Sequence, residues 1–191
     1  MKVLFLTNIP SPYRVDFFNE FGKYCDLTVT FEGHHASDRN FGWESENYKT
    51  FKAIFLNGLR VRSDQFLCIK IINIIKQKFD HIIVGGYSTP TSILAIEYMK
   101  KHEIPFWIEA DGGLIAEDGL LKYVFKKKLI SSATNWLSSG NMTTDYLVHY
   151  GAKRDHIFLY PFTSIKKKDI VEKALSFQEK DKLRQKIMAQ K

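Results

Sequence analysis

The segment from Asp80 to Lys101 constrains the fold more than any other part of this chain. Asp80-His81-Ile82-Ile83-Val84 is a short apolar run, broken by Gly85-Gly86-Tyr87-Ser88. A helix is predicted from Thr89 to Lys101, with Thr89 as its cap and Pro90 at its start. The run is apolar throughout, which suits a strand buried on both faces. A Thr hydroxyl can accept from a first-turn N–H, and Pro at the first helical position has no N–H to lose. The pattern recurs along the chain. Pro105 to Glu109 reads as a strand, Ala110-Asp111-Gly112-Gly113 as a turn, and Leu114 to Ser131 as a largely helical stretch, interrupted near Asp118-Gly119. Upstream, Val3 to Leu6 is a strand and Ser11-Pro12 starts a helix whose Val15, Phe18 and Phe21 share one face. Leu27 to Phe31 and Phe51 to Leu56 are further strands, and Phe66, Ile69, Ile72, Ile75 and Phe79 predict a helix over Phe66 to Phe79. Thr134 to Leu137 and Ile157 to Tyr160 close the series as strands, with a helix from Asn141 to Tyr150 between them, ended by Gly151. Such alternation implies right-handed crossovers and an α/β fold with a Rossmann-like, doubly wound, largely parallel sheet.

The 191 residues suffice for one such domain and are too few for two. The expected division is a domain over residues 1–162, followed by a lysine-rich linker and a charged helix (Glu179 to Met188) over residues 163–191. A terminal helix with no following strand is out of place in this architecture and suits either a C-terminal cap of the domain or the opening of a second one. Apolar stretches are interrupted well before the roughly 18 residues of a membrane span. The N-terminal run is too short for a signal peptide, so a cytoplasmic protein is expected. Cys25 and Cys68 have no partner at metal-ligand spacing and read as buried thiols. Glu32 to Tyr48 is polar and reads as a long loop; its adjacent His34 and His35 do not make a metal site. The formal net charge is +7, with lysine runs at Lys126 to Lys128 and Lys166 to Lys168. A basic surface attracts phosphate-bearing partners or simply keeps the chain soluble. No nucleic-acid module motif accompanies it, so nucleic acid is not expected.

In open parallel sheets ligands bind beyond the carboxyl ends of the strands. The first such loop, Asn8-Ile9-Pro10-Ser11-Pro12-Tyr13-Arg14, contains no glycine and is not the dinucleotide fingerprint. The phosphate-binding loop of nucleotide hydrolases is also missing, as is the acidic pair of a receiver domain. A conventional dehydrogenase, an ordinary nucleotide hydrolase and a response regulator are thereby disfavoured. The helix start at Ser11 suits an anion or a hydroxyl, and Arg14 lies one turn inside or else on the outer surface. Gly85 and Gly86 let a ligand approach the backbone beside the Tyr87 ring, or simply make a tight turn. Glu109 and Asp111 stand two residues apart, so in extended chain they point the same way. Paired carboxylates there can position a sugar hydroxyl and accept its proton, unless one only caps the next helix. Ser139 precedes a helix and either caps it or faces the crevice.

The opening run from Val3 through Asn8, Pro10, Ser11, Tyr13 and Arg14 to Phe18 resembles that of bacterial family 4 glycosyltransferases of the GT-B fold. Gly85-Gly86-Tyr87, Trp107 to Gly112, Ser139, Asp145-Tyr146-Leu147 and Tyr150-Gly151-Ala152 follow in the same order. The resemblance implies transfer of a sugar from a nucleotide-sugar to a saccharide or lipid-linked acceptor, with retention at the anomeric carbon, no cofactor and usually no metal. It implies that this chain is the N-terminal, acceptor-binding half. The donor half lies outside it, so the chain alone is expected to be inactive. Asn8, Pro10, Ser11, Tyr13, Arg14, Gly85, Gly86, Tyr87, Gly112, Gly113 and Ser139 would line the cleft, and Asp111, with Glu109, would contact the acceptor hydroxyl. Surface polysaccharide synthesis, with peripheral contact at an anionic inner membrane face through Lys126 to Lys128, fits the positive charge. The competing readings are a non-catalytic subunit of a split glycosyltransferase, a nucleotide-sugar epimerase of the same fold, and a flavodoxin-like or binding module.

Overall fold

The computed structural model describes residues 1–35, 47–163, 165, 170 and 174–188. Seven strands form one parallel sheet in the order β3-β2-β1-β6-β7-β8-β9. They are β1 (Lys2–Thr7), β2 (Asp26–Phe31), β3 (Lys52–Phe55), β6 (His81–Gly85), β7 (Trp107–Ala110), β8 (Asn135–Ser138) and β9 (Ile157–Leu159). β4 (Leu59–Arg60) and β5 (Phe66–Leu67) make a small antiparallel pair of their own. The Rossmann-like α/β expectation holds.

β1 is central because both of its faces are apolar. Leu4 and Leu6 enter one core and Val3 and Phe5 the other. Helix α1 (Pro12–Phe21) covers the second face, where Val15 and Phe18 are buried. Each fully buried side chain of this kind stabilises by about 1.5–3 kcal/mol. The opposite face carries α2 (Ile71–Ile75), α3 (Pro90–Lys101), α4 (Leu120–Ile130) and α5 (Asn141–His149). Thr89 caps α3 as expected, its hydroxyl accepting from the Ser92 N–H at 3.1 Å.

Two helix expectations are corrected. Phe66 to Phe79 is not one helix: Phe66 and Leu67 are β5, and only Ile71–Ile75 is helical. The Phe66 carbonyl accepts from Thr91 Oγ1 at 2.6 Å and its N–H donates to Glu32 Oε2 at 3.2 Å, bonds a helix would have used internally. Cys68, expected within a helix, therefore lies between β5 and α2, buried. Leu114 to Ser131 is helical only from Leu120, because Gly119 is extended and serves as the N-terminal flank of α4. The final helix is α6 (Phe177–Met188), with no buried residue. Lys166 to Lys168 and most of the long polar loop lie outside the described residues, whereas His34 stacks flat on Phe55 at 4.0 Å.

Candidate functional site

β1 leads by way of α1 to one side of the sheet and β6 by way of α3 to the other, so the chain direction switches between these neighbours. Crevices at such a switch point lie beyond the carboxyl ends of the strands. Two small clefts occupy that place. One, about 190 Å³, is lined by Asn8, Ser11, Tyr13, Arg14, Gly85, Gly86 and Asp111, with Asp64 and Thr89. The other, about 160 Å³, shares Arg14, Gly85, Gly86 and Asp111 and adds Tyr87, Glu109, Gly112 and Tyr146. A larger cleft of about 680 Å³ lies along α1 and the Tyr160–Phe162 segment, and Tyr13 lines it too. Its lining lacks the paired carboxylates.

Arg14 joins the two small clefts. It is buried, and its Nη2 lies 3.1 and 3.0 Å from the two carboxylate oxygens of Glu109 and 3.1 Å from Asp111 Oδ2. Glu109 in β7 and Asp111, the residue just past its end, both face this side, as their two-residue spacing predicts. The two are not equivalent. Glu109 is only 1% exposed, whereas the side chain of Asp111 is 51% exposed. Tyr160 donates a further hydrogen bond to Glu109, and the Phe162 ring lies 5.0 Å from the Arg14 guanidinium carbon. Burial works against the Arg14 charge, but Glu109 and Asp111 outweigh it and hold the group above its ordinary pKa. Burial pushes the Glu109 carboxyl up, and Arg14 offsets this only in part. Arg14 Nη1 is buried with no hydrogen-bond partner among the described residues. The result is an enclosed ion pair that presents one carboxylate, Asp111, to the cleft.

The glycines give this edge its shape. A Cβ on Gly85 would lie 2.7 Å from the Phe5 ring and 2.8 Å from the Leu6 carbonyl oxygen. Gly86 has φ of 93°, which other residues rarely adopt. Gly112 faces open space, and Gly113 backs onto the Tyr146 ring. Tyr87 and Tyr146 share a hydroxyl–hydroxyl bond, and burial, with that bond next, raises the Tyr87 pKa. Ser11 flanks α1 but its side chain does not cap it. Pro10 is buried and, like Ser139, lines neither small cleft; Ser139 Oγ is 3.2 Å from Thr143 Oγ1 instead.

The sequence reading passed over Glu32 and Asp64. Glu32 directly follows β2 and is buried, accepting from Thr89 Oγ1 at 2.5 Å and from the Phe66 N–H. Burial pushes its carboxyl up to about 7. Asp64, on the turn between β4 and β5, accepts from Asn8 Nδ2 at 2.9 Å and so brings the hairpin to the cleft. The strand-end rule would have found Glu32; nothing local marks Asp64. Among the described residues no group of three His, Cys, Asp or Glu is placed to hold a metal ion.

This geometry defines a class: a Rossmann-like α/β domain with a carboxylate-bearing crevice at its switch point. Solved structures of this fold include Anabaena HepE in complex with UDP-glucose, at 11% identity and a TM-score of 0.58, covering 98% of this chain and 50% of that one. UDP-N-acetylglucosamine 2-epimerase from Rickettsia bellii matches at 14% identity and a TM-score of 0.51, covering 83% of this chain and 44% of that one. Another UDP-N-acetylglucosamine 2-epimerase matches at 18% identity and a TM-score of 0.56, covering 83% and 47%. The chain spans about half the length of each. No protein-family model and no curated protein matches the sequence. At these identities the likeness is one of fold.

Proposed function

We propose that this chain is the acceptor-side half of a GT-B glycosyltransferase that takes a sugar from a nucleotide-sugar to a saccharide or lipid-linked acceptor. The observation that carries the reading is the exposed Asp111 carboxylate, held by Arg14 at the sheet's switch point. An acceptor hydroxyl reaching it would be oriented and would lose its proton as the sugar–phosphate bond breaks and the new glycosidic bond forms. Gly85 and Gly86 leave room for the acceptor, and Tyr87 and Tyr146 offer ring surface beside it. Support comes from the shared fold of a protein seen with UDP-glucose and from the order of the motifs along the chain. The nucleotide-sugar would be held mainly by a second domain. A cytoplasmic enzyme of surface polysaccharide synthesis, touching the inner membrane face, completes the proposal; no described helix is long and apolar enough to cross a membrane.

The test is Asp111→Asn in a protein carrying both halves. Transfer should fall about 100-fold or more with donor affinity unchanged. Normal transfer at normal donor affinity overturns the assignment. A second reading, a nucleotide-sugar epimerase, is favoured by the two 2-epimerase structures of the same fold. Inversion at C2 of UDP-N-acetylglucosamine without added acceptor would select it.

A further inference from the structure

Helix α4 is apolar on the wrong side. Leu129 and Ile130 face the core, as a sheet-covering helix requires. Yet Leu120, Leu121, Val124 and Phe125, at helical spacing on the outer side, are all exposed, Leu120 at 76% and Leu121 at 87%. Leu114 and Ile115, just before the helix, are exposed too. Scattered surface leucines are ordinary, but six large apolar side chains within twelve residues of one connection form a patch.

The surrounding charge says what covers it. Residues 114–130 carry four lysines (Lys122, Lys126, Lys127 and Lys128) against two carboxylates, Glu117 and Asp118. Asp118 is enclosed by Lys122 at 2.8 Å and Lys126 at 2.7 Å, with Tyr150 donating to it as well. Lys128 continues the Leu120–Val124 row at the far end of the helix and shares Glu97 of α3 with Lys100. Lys127 lies beside Tyr123, its ammonium 5.7 Å from that ring. The apolar row is thus edged by ammonium groups on flexible stems, within a chain whose net charge is +7. Such stems keep their charge at a headgroup while the methylenes stay with the apolar side chains.

We infer that the outer face of α4, with Leu114 and Ile115, docks in the plane of an anionic lipid surface, Leu120, Leu121, Val124 and Phe125 entering the acyl boundary. Lys126, the first of the lysine run, is turned inward to Asp118 and Tyr150, so the apolar row rather than the run drives docking; Lys127, with the more exposed Lys122 and Lys128 once they exchange Asp118 and Glu97 for headgroups, selects anionic lipid. The Asp111 loop leads directly into this helix, which sets the crevice beside the surface from which a lipid-linked acceptor would be drawn. In that respect the inference rests on the proposed function.

Vesicle flotation of the full chain tests it, comparing phosphatidylcholine alone with phosphatidylcholine containing about 30% phosphatidylglycerol, at low and high salt. The chain should bind the mixed vesicles, lose most binding at high salt, and lose at least about tenfold on Leu121→Glu with Phe125→Glu. Leu121→Trp should show blue-shifted emission with mixed vesicles only. Wild-type failure to bind, or undiminished binding by the double variant with its circular dichroism unchanged, overturns the inference. So does a lipid-free dimer that Leu121→Glu abolishes, which would assign the face to a second copy. Vesicle binding by a protein that carries both halves yet moves no sugar would overturn the transferase reading alone.

Discussion

The Arg14–Glu109–Asp111 cluster and the outer face of α4 invert the usual partition in opposite senses. In the first, three ionisable groups meet where a doubly wound sheet ordinarily packs apolar side chains, and two of them are buried. In the second, four apolar side chains stand in water where a surface helix ordinarily carries charge. Both departures work against folding. A buried ion pair loses hydration that its own attraction only partly returns, and an exposed leucine gains nothing from the fold. Sequences keep such features where something other than stability is served, and here they are joined: Asp111, at the end of the first, opens the connection from β7 to β8 that carries the second.

The largest effect should come from the buried member. Arg14→Met leaves Glu109 enclosed without a counter-charge and should cost about 3–5 kcal/mol, read by urea denaturation. Combining it with Glu109→Leu should recover much of that loss, because the uncompensated charge is gone. A single-variant cost below about 1 kcal/mol would mean that Glu109 is not enclosed as described, and the contrast with α4 would collapse.

Glu32 sharpens the same side of the comparison, being a buried carboxylate with no ion-pair partner among the described residues. Its carboxyl rises from 4.5 to about 7 on folding, burial being the main cause. Between those values the folded state holds more protons than the unfolded one, so stability falls as pH rises and levels off above about 7. The loss amounts to at most about 3 kcal/mol. Glu32→Gln keeps an acceptor for the Phe66 N–H and reverses the Thr89 bond, its amide N–H donating to Thr89 Oγ1, and should remove that slope. Its stability should match wild type near pH 4 and exceed it at pH 8; a variant less stable at pH 8 would show that the ionised carboxylate is held by its donors.

How much of this the sequence reveals depends on the range of the interaction concerned. The parallel strands and α1, α3 and α5 follow from local periodicity and from turn residues such as Thr89-Pro90, so they were legible. The β4–β5 pair was not, because two-residue strands have no period and the apolar spacing of Phe66 to Phe79 imitates a helix. Glu109 and Asp111 could be paired on strand alternation alone. That Arg14 meets them across 95 and 97 residues could not be read from any window, nor could the reach of Asp64 to Asn8 across 56. The same limit applies to Lys126. A run of three lysines reads as a basic surface until Asp118 and Tyr150 are found on the inner side of the helix.

The smallest effect should belong to α4. Leu121→Ser removes an apolar side chain that stands 87% exposed, so folding has almost nothing there to lose. Serine's lower helix propensity costs a few tenths of a kcal/mol. Chemical denaturation should place the variant within about 0.5 kcal/mol of wild type, and loss of an exposed leucine should leave solubility equal or better. A cost above about 2 kcal/mol would mean that Leu121 is packed in solution, by a second copy or by a segment of this chain. A neutral outcome, beside a multi-kcal loss for Arg14→Met, would leave the two inversions standing for different reasons. The ion pair shapes the crevice from within, and the apolar row serves a surface the chain has yet to meet.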